Sequence, residues 1–214
     1  MAILVSIAIN EARGILIDAA KVTWSDADLI TYLNEALRTT STVKHDFYTV
    51  RDQISLEAGV SQVLPEDAVA LLDIIDNVAS GKSITQVDLS MLHESNRFWP
   101  ADTQETDVDN FAANTKEPTR YYVTPPNDGY GSVNAVYGAI PPLVSALGDT
   151  LPVSEQHQAA LVNFVLSRAY AKNSKKQDTT KSDYYVKEWG KLIGLKAQTQ
   201  IATAPKVTDS PESR

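Results

Sequence analysis

Cysteine is absent from all 214 residues, which excludes disulfide frameworks, thiolate metal sites and cysteine nucleophiles, and leaves the redox compartment open. No apolar run approaches the roughly 18–20 residues needed to cross a bilayer, so no membrane span is expected. A secretory leader is not expected either. The apolar start Met1–Ile9 has no basic residue before it and no small-residue cleavage site after it, and Asn10, Glu11 and Arg13 continue the same periodic segment. A soluble protein made in a cytoplasm is therefore expected. Histidine is scarce: His45, His93 and His157 lie far apart, whereas a zinc site draws ligands at short local spacings. His93-Glu94 also lacks the second histidine of a metalloprotease helix. No metal and no cofactor are expected.

What is present is ordinary in amount but uneven in sign. Hydrophobic residues make up 43% and charged residues 21%, enough for a normal core. The formal net charge is −8. Residues 1–110 hold 18 acidic and 7 basic side chains, while Arg168 to Lys196 holds eight basic and three acidic. A nucleic-acid binder draws its affinity from neutralising phosphates and needs a dominant basic surface. This balance points instead to protein partners, or to a channel wall that must not hold DNA.

Periodicity divides the chain in three. From Ile3 to about Phe47, apolar residues at Ile3, Leu4, Ile7, Ala8, Ala12, Ile15, Leu16 and Ala19 mark an amphipathic helix. A second helix begins at Trp24-Ser25-Asp26-Ala27-Asp28-Leu29. There Ser25 is the expected cap, Asp28 reaches back from the third position, and Trp24 packs on Leu29 as a staple. The middle region changes period. Gln53–Ala58 alternates and turns at Gly59; Leu71–Val78 is a dense apolar run expected to pair with Ser83–Asp88 across a turn at Gly81. Leu89–Glu94 makes one or two helical turns, Arg120–Val123 and Val133–Tyr137 read as a second hairpin, and Ala101–Glu117 as a long polar loop. Helix then returns, with Ser154 as an N-cap, a buried face of Leu161, Phe164, Val165 and Ala169, and a last helix from Asp178 or Ser182. That helix carries Tyr185, Trp189, Leu192 and Ile193 on one stripe.

The expected fold class is thus mainly α: an antiparallel helix bundle with an inserted antiparallel β region and a flexible C-terminal tail. The expected division is 1–50 for the N-terminal helix pair, 51–151 for the β-rich insertion, 152–200 for the C-terminal helices and 201–214 for the tail.

Catalytic motifs lack support. Gly81-Lys82-Ser83 ends like a phosphate-binding loop, but Asp76 stands where that loop needs its first glycine, so a plain turn is expected. No serine has a histidine at a recognised spacing. Asp73 and Asp76 beside apolar residues remain candidates for perturbed carboxylates. Tyr170, Tyr184, Tyr185 and Trp189 among lysines could stack on bases, yet their helical spacing fits core or interface anchors better.

The order of parts resembles the head–tail adaptors of tailed phages. Trp24–Ala36 is similar to the second-helix signature of one such family. Ala58–Pro65 is similar to its strand–turn–strand segment, Pro118–Tyr122 with Pro125-Pro126 to a later hairpin, and Asp149–Val153 with Asn163–Tyr170 to the start of its C-terminal helices. The resemblance implies a non-enzymatic subunit of a dodecameric ring beneath the portal protein. It implies a tail or nozzle protein as the partner on the other side, and DNA passing through the channel without specific binding. Tyr185, Trp189, Leu192, Ile193 and Ile201 are the residues expected to dock on the portal. The alternatives are a monomeric binding or hydrolytic domain with an acidic cleft, or another neck or tail completion protein.

Overall fold

A computed structural model describes residues 3–195. It corrects the expected fold class. The protein is mixed α/β, with about 37% helix and 25% strand, and the strands form two sheets with an apolar core of their own. The physical reason is long-range pairing: short strands that look like an insertion in sequence join partners far along the chain. The expected tail, 201–214, lies outside the described residues. The described chain divides into two compact units, one made of residues up to Ala36 and from Val144 onward, the other of Leu37–Leu143.

Unit 1 is helical. Helix α1 (Val5–Leu16) buries Val5, Ala8, Ile9, Ala12, Arg13 and Leu16, the i, i+3/i+4 stripe of an amphipathic helix. It ends where Ile17 turns left-handed at φ 51° and donates its N–H back to Arg13 and Gly14. The chain before α1 is tied down by backbone hydrogen bonds, Val5 to Asp149 and Leu151 to Ile3. Helix α2 (Asp26–Val43) starts in this unit, and the division falls within it after Ala36. The Asn34 amide holds Val144 by both its groups, at 2.8 and 2.9 Å.

Labelled in chain order through the rest of the molecule, helix α4 (Gln158–Ala171) is buried on nearly every side, including Leu161, Phe164, Val165, Leu166 and Ala169. A helix apolar all round belongs at the centre of its unit. A short 3-10 turn at Glu155–His157 precedes it, and the Ser154 side chain makes no capping hydrogen bond. Helix α5 (Thr179–Leu192) is capped by Asp178, whose side chain accepts from the Lys181 N–H.

Unit 2 holds the sheets. Strands β1 (Thr49–Ser55), β7 (Ser132–Ala139) and β3 (Ala68–Asn77) form an antiparallel sheet with β7 central. Strands β2 (Gly59–Val63), β6 (Arg120–Asn127), β5 (Asn110–Ala113) and β4 (Thr85–Gln86) form the second, with β4 and β5 parallel. Two expected hairpins are therefore corrected. β6 and β7 follow one another in sequence yet sit in different sheets. The pairing expected for Ser83–Asp88 forms only beside its turn, where Ser83 bridges to Asp76 and Ile84 donates to the Ile75 carbonyl at 3.1 Å, and the following strand pairs with β5. Alternation placed strands along the chain but could not choose their partners.

The run 101–117 is not one long loop, because Val108, Phe111 and Ala112 are buried and β5 lies within it. Helix α3 (Leu89–Ser95) is capped by Asp88. Ile54, Ile74, Phe111, Tyr121, Val123, Val133 and Tyr137 supply the bulk of the core between the strands.

Candidate functional site

The most heavily built corner of unit 1 is the connection from α1 to α2. Asp18, almost fully buried, accepts backbone N–H groups from Val22 at 3.1 Å, Thr23 at 3.1 Å and Trp24 at 2.9 Å. Burial works against its charge, but the Trp24, Thr23 and Val22 amides, with Lys176 beyond, hold its carboxyl below the ordinary aspartate range. Arg13 donates to the Trp24 carbonyl at 2.9 Å and to Asp26 at 2.6 Å. Lys21, also left-handed at φ 57°, meets the other oxygen of Asp26 at 2.5 Å. Hydrogen bonding from Lys21 and then Arg13 outweighs burial and lowers the Asp26 pKa.

The start of α2 closes the same corner. Ser25 Oγ accepts from the Asp28 N–H at 3.1 Å, and Asp28 accepts from the Ser25 N–H at 3.0 Å, a reciprocal pair that satisfies two donors the helix itself leaves unpaired. Ser25 and then Lys172 hold Asp28 low. Trp24 and Leu29 are fully buried, and the Trp24 indole donates to the Ala169 carbonyl at 3.0 Å.

This fixed corner displays apolar side chains rather than hiding them. Ile17 is 85% exposed and Val22 is 83% exposed. They border a depression of about 840 Å³ lined also by Gly14, Ala19, Ala20 and Lys176. A β-branched residue in the left-handed region is strained, and such strain persists where the surroundings over-determine it.

The residues expected to dock on the portal separate. Trp189 packs edge-on against Phe164, and Tyr185 stacks on Tyr170 at 5.8 Å between ring centres. Trp189 and Ile193 are buried within unit 1, whereas Leu192 is half exposed. Tyr184 and Val186 of α5 are exposed as well. Ile201 lies outside the described residues.

Unit 2 carries a second fixed projection, the β6–β7 turn. Asn127 is fully buried; its side chain donates to the carbonyls of Glu105 and Thr106 and accepts from Gly129 and Gly131. Asp128 accepts from the Thr106 hydroxyl at 2.6 Å and from the Tyr130 N–H at 2.9 Å. Those two bonds, Thr106 first, lower its pKa. A side chain at Gly131 would meet the Asn127 amide and the Thr106 carbonyl at 2.3 Å. Held this way, Tyr130 stands 86% exposed. The Asp128-Gly129-Tyr130-Gly131 spacing was the available sequence signal, and it reads only as a turn until the aromatic is seen to point outward.

Features of catalysis are thin. Among the described residues no group of three or more His, Asp or Glu side chains is placed to hold a metal, and no helix is long and apolar enough to cross a membrane. Gly81-Lys82-Ser83 forms a turn with Gly81 at φ 69°, and Lys82 pairs with Asp109 at 2.5 Å. Two depressions in unit 2 hold one carboxylate each, Asp88 in one and Glu94 in the other.

Against the models of known families, residues 5–209 match the one described as SU10 adaptor protein. The chain belongs to the SU10 adaptor family. No curated protein matches it. SU10 adaptors are a phage head–tail adaptor family, so the protein is a structural phage adaptor. The α1–α2 corner, the outer side of α5 and the Tyr130 turn are where the described residues leave large apolar or aromatic side chains exposed.

Proposed function

We propose that this SU10 adaptor assembles as a dodecameric ring under the portal, extends the DNA channel and attaches the tail. The observation that carries the reading is the family match across 5–209. The distribution of charge supports it. Unit 2 holds 15 acidic and seven basic side chains, and so accounts for the whole net charge of −8. An acidic surface facing a channel releases few counterions from passing DNA, so the duplex slides without sticking.

Portal docking is assigned to the last helix and the residues after it. Tyr185, Trp189 and Ile193 fasten α5 to its own unit, and Leu192, with Ile201 and the rest of 201–214, meets the portal. A short segment repeated around a ring gains avidity through effective concentration, even where each contact is weak. Deleting 201–214 and measuring co-sedimentation with the portal tests this. Loss of binding with unchanged thermal stability is expected; undiminished binding would refute the docking role.

A further inference from the structure

A surface helix normally keeps its apolar stripe for the core and turns charged side chains to water. Helix α1 does not. With its inner stripe packed, it shows a second one to solvent. Leu4, Ile7 and Ile15 are 45%, 50% and 41% exposed, and Glu11 is the one charged side chain among them, because Arg13 is buried. Their spacing puts Leu4, Ile7, Glu11 and Ile15 on one ridge. On α5 the outward ridge is Thr180, Tyr184, Lys187 and Lys191, all exposed. Tyr184 rests edge-on against Tyr185. Lys191 pairs with Glu188, whereas Lys187 makes no ion pair among the described residues. Both ridges belong to unit 1. Helix α4 packs against α1 and against α5, which make little contact with each other, so the ridges are separate surfaces of one compact body.

We propose that the α1 ridge of one copy packs on the α5 ridge of the next, with Tyr184 on the apolar side chains and Lys187 beside Glu11. This contact is the lateral joint of the ring, and it rests on the ring reading above. The occupant is a second copy because the charges complement each other within this one chain: an apolar ridge with a single carboxylate faces an aromatic with an ammonium group that lacks a partner. Glu11 already accepts from Gln158 at 2.6 Å, but a carboxylate has acceptor sites to spare. Two ridges spaced by three and four residues pack as helices do inside a domain. Burying the α1 side chains supplies the affinity, and the Glu11–Lys187 pair sets register and partner more than it adds strength. Different surfaces in contact make a heterologous joint, the type that closes into a ring when its rotation allows. Leu192, assigned above to the portal, lies further along α5, so the two contacts do not compete.

The test uses the full-length protein and the portal of the same virion. Ile7→Lys and Lys187→Glu change solvent-facing side chains and should leave thermal unfolding unaltered. Each should raise the protein concentration needed for ring formation on the portal about tenfold. Adding Glu11→Lys to the Lys187→Glu protein should restore it. The chain has no cysteine, so single introduced thiols report neighbours directly. Tyr184→Cys protein mixed with Ile7→Cys or with Ile15→Cys protein, treated with a short bifunctional maleimide on portal-bound rings, should give mixed pairs in one of the two mixtures, whichever way the helices run. Rings forming normally with Ile7→Lys, Ile7→Cys linking to itself or to the portal, or neither mixture yielding mixed pairs would overturn this joint while leaving the ring intact. Failure of the unsubstituted protein to form a ring at all would remove the ring reading and the joint together.

Discussion

The two units solve the same problem with different chemistry. Unit 1 bears nearly balanced charge and fixes its most exposed corner with ion pairs and amide-to-carboxylate bonds around Asp18, Arg13 and Asp26. Unit 2 bears the negative charge of the whole chain and is held by strand pairing over a core of Ile74, Phe111, Val123 and Val133. Its charges stay on the outside, as with Lys82 and Asp109, both half exposed. The difference teaches where stability is sensitive. A buried ionic cluster fails steeply when one member is removed, because its partners are left charged and unpaired. An exposed acidic surface tolerates substitution and is free to serve a channel or a partner.

The largest expected effect follows from that contrast. Arg13→Ala leaves Asp18 and Asp26 without their shared guanidinium and should cost about 3–5 kcal/mol. Chemical denaturation measures it, and hydrogen exchange should show protection lost in α1 and the first turns of α2 before the sheets. Equal loss in both units would break the distinction. The reciprocal change is Gly138→Ala on β7, where a side chain carbon would come within 2.0 Å of the His45 carbonyl. Displacing that backbone should cost about 1–3 kcal/mol, with the loss centred on β1, β7 and β3.

Acid separates the units next. In the folded chain Asp18, Asp26 and Asp28 all titrate below the ordinary aspartate value of 3.8. A depressed folded value means that their stabilisation is complete above the unfolded value and is lost as pH falls through the folded ones. Helical circular dichroism should therefore decline below about pH 4, and Asp18→Asn should flatten that acid limb. An unchanged limb would show that the cluster is not its source.

The smallest expected change lies in the core of unit 2. The Tyr121 hydroxyl is buried and has no hydrogen-bond partner among the described residues, and burial raises its pKa. Tyr121→Phe removes a polar atom that gains nothing, so stability should hold or rise by up to about 1 kcal/mol. A loss of that size would mean that the hydroxyl is paired in solution.

How much of this was legible in the sequence depended on range. The helices of unit 1 were readable because their signals are local: the apolar stripe from Val5 to Leu16, and Ser25 with Asp28 three residues apart. Strand positions were readable from alternation, as along Gln53–Leu56. Strand partners were not, because β7 pairs with β1 and β3 rather than with its neighbour β6, and that choice is made by the assembled core. The exposed apolar positions were the least legible. Trp189 and Ile193 share a stripe with Leu192 in sequence, but only packing against Phe164 decides which of them turn inward. Ile17, Val22 and Tyr130 carried no sign in the sequence that backbone bonds would hold them out into solvent.

Mixing the purified protein with the portal of the same virion and imaging the product by electron microscopy tests the adaptor assignment most directly. A ring of added density coaxial with the portal and sharing its symmetry is expected. A portal left bare at high protein concentration, with the chain remaining monomeric, would contradict it.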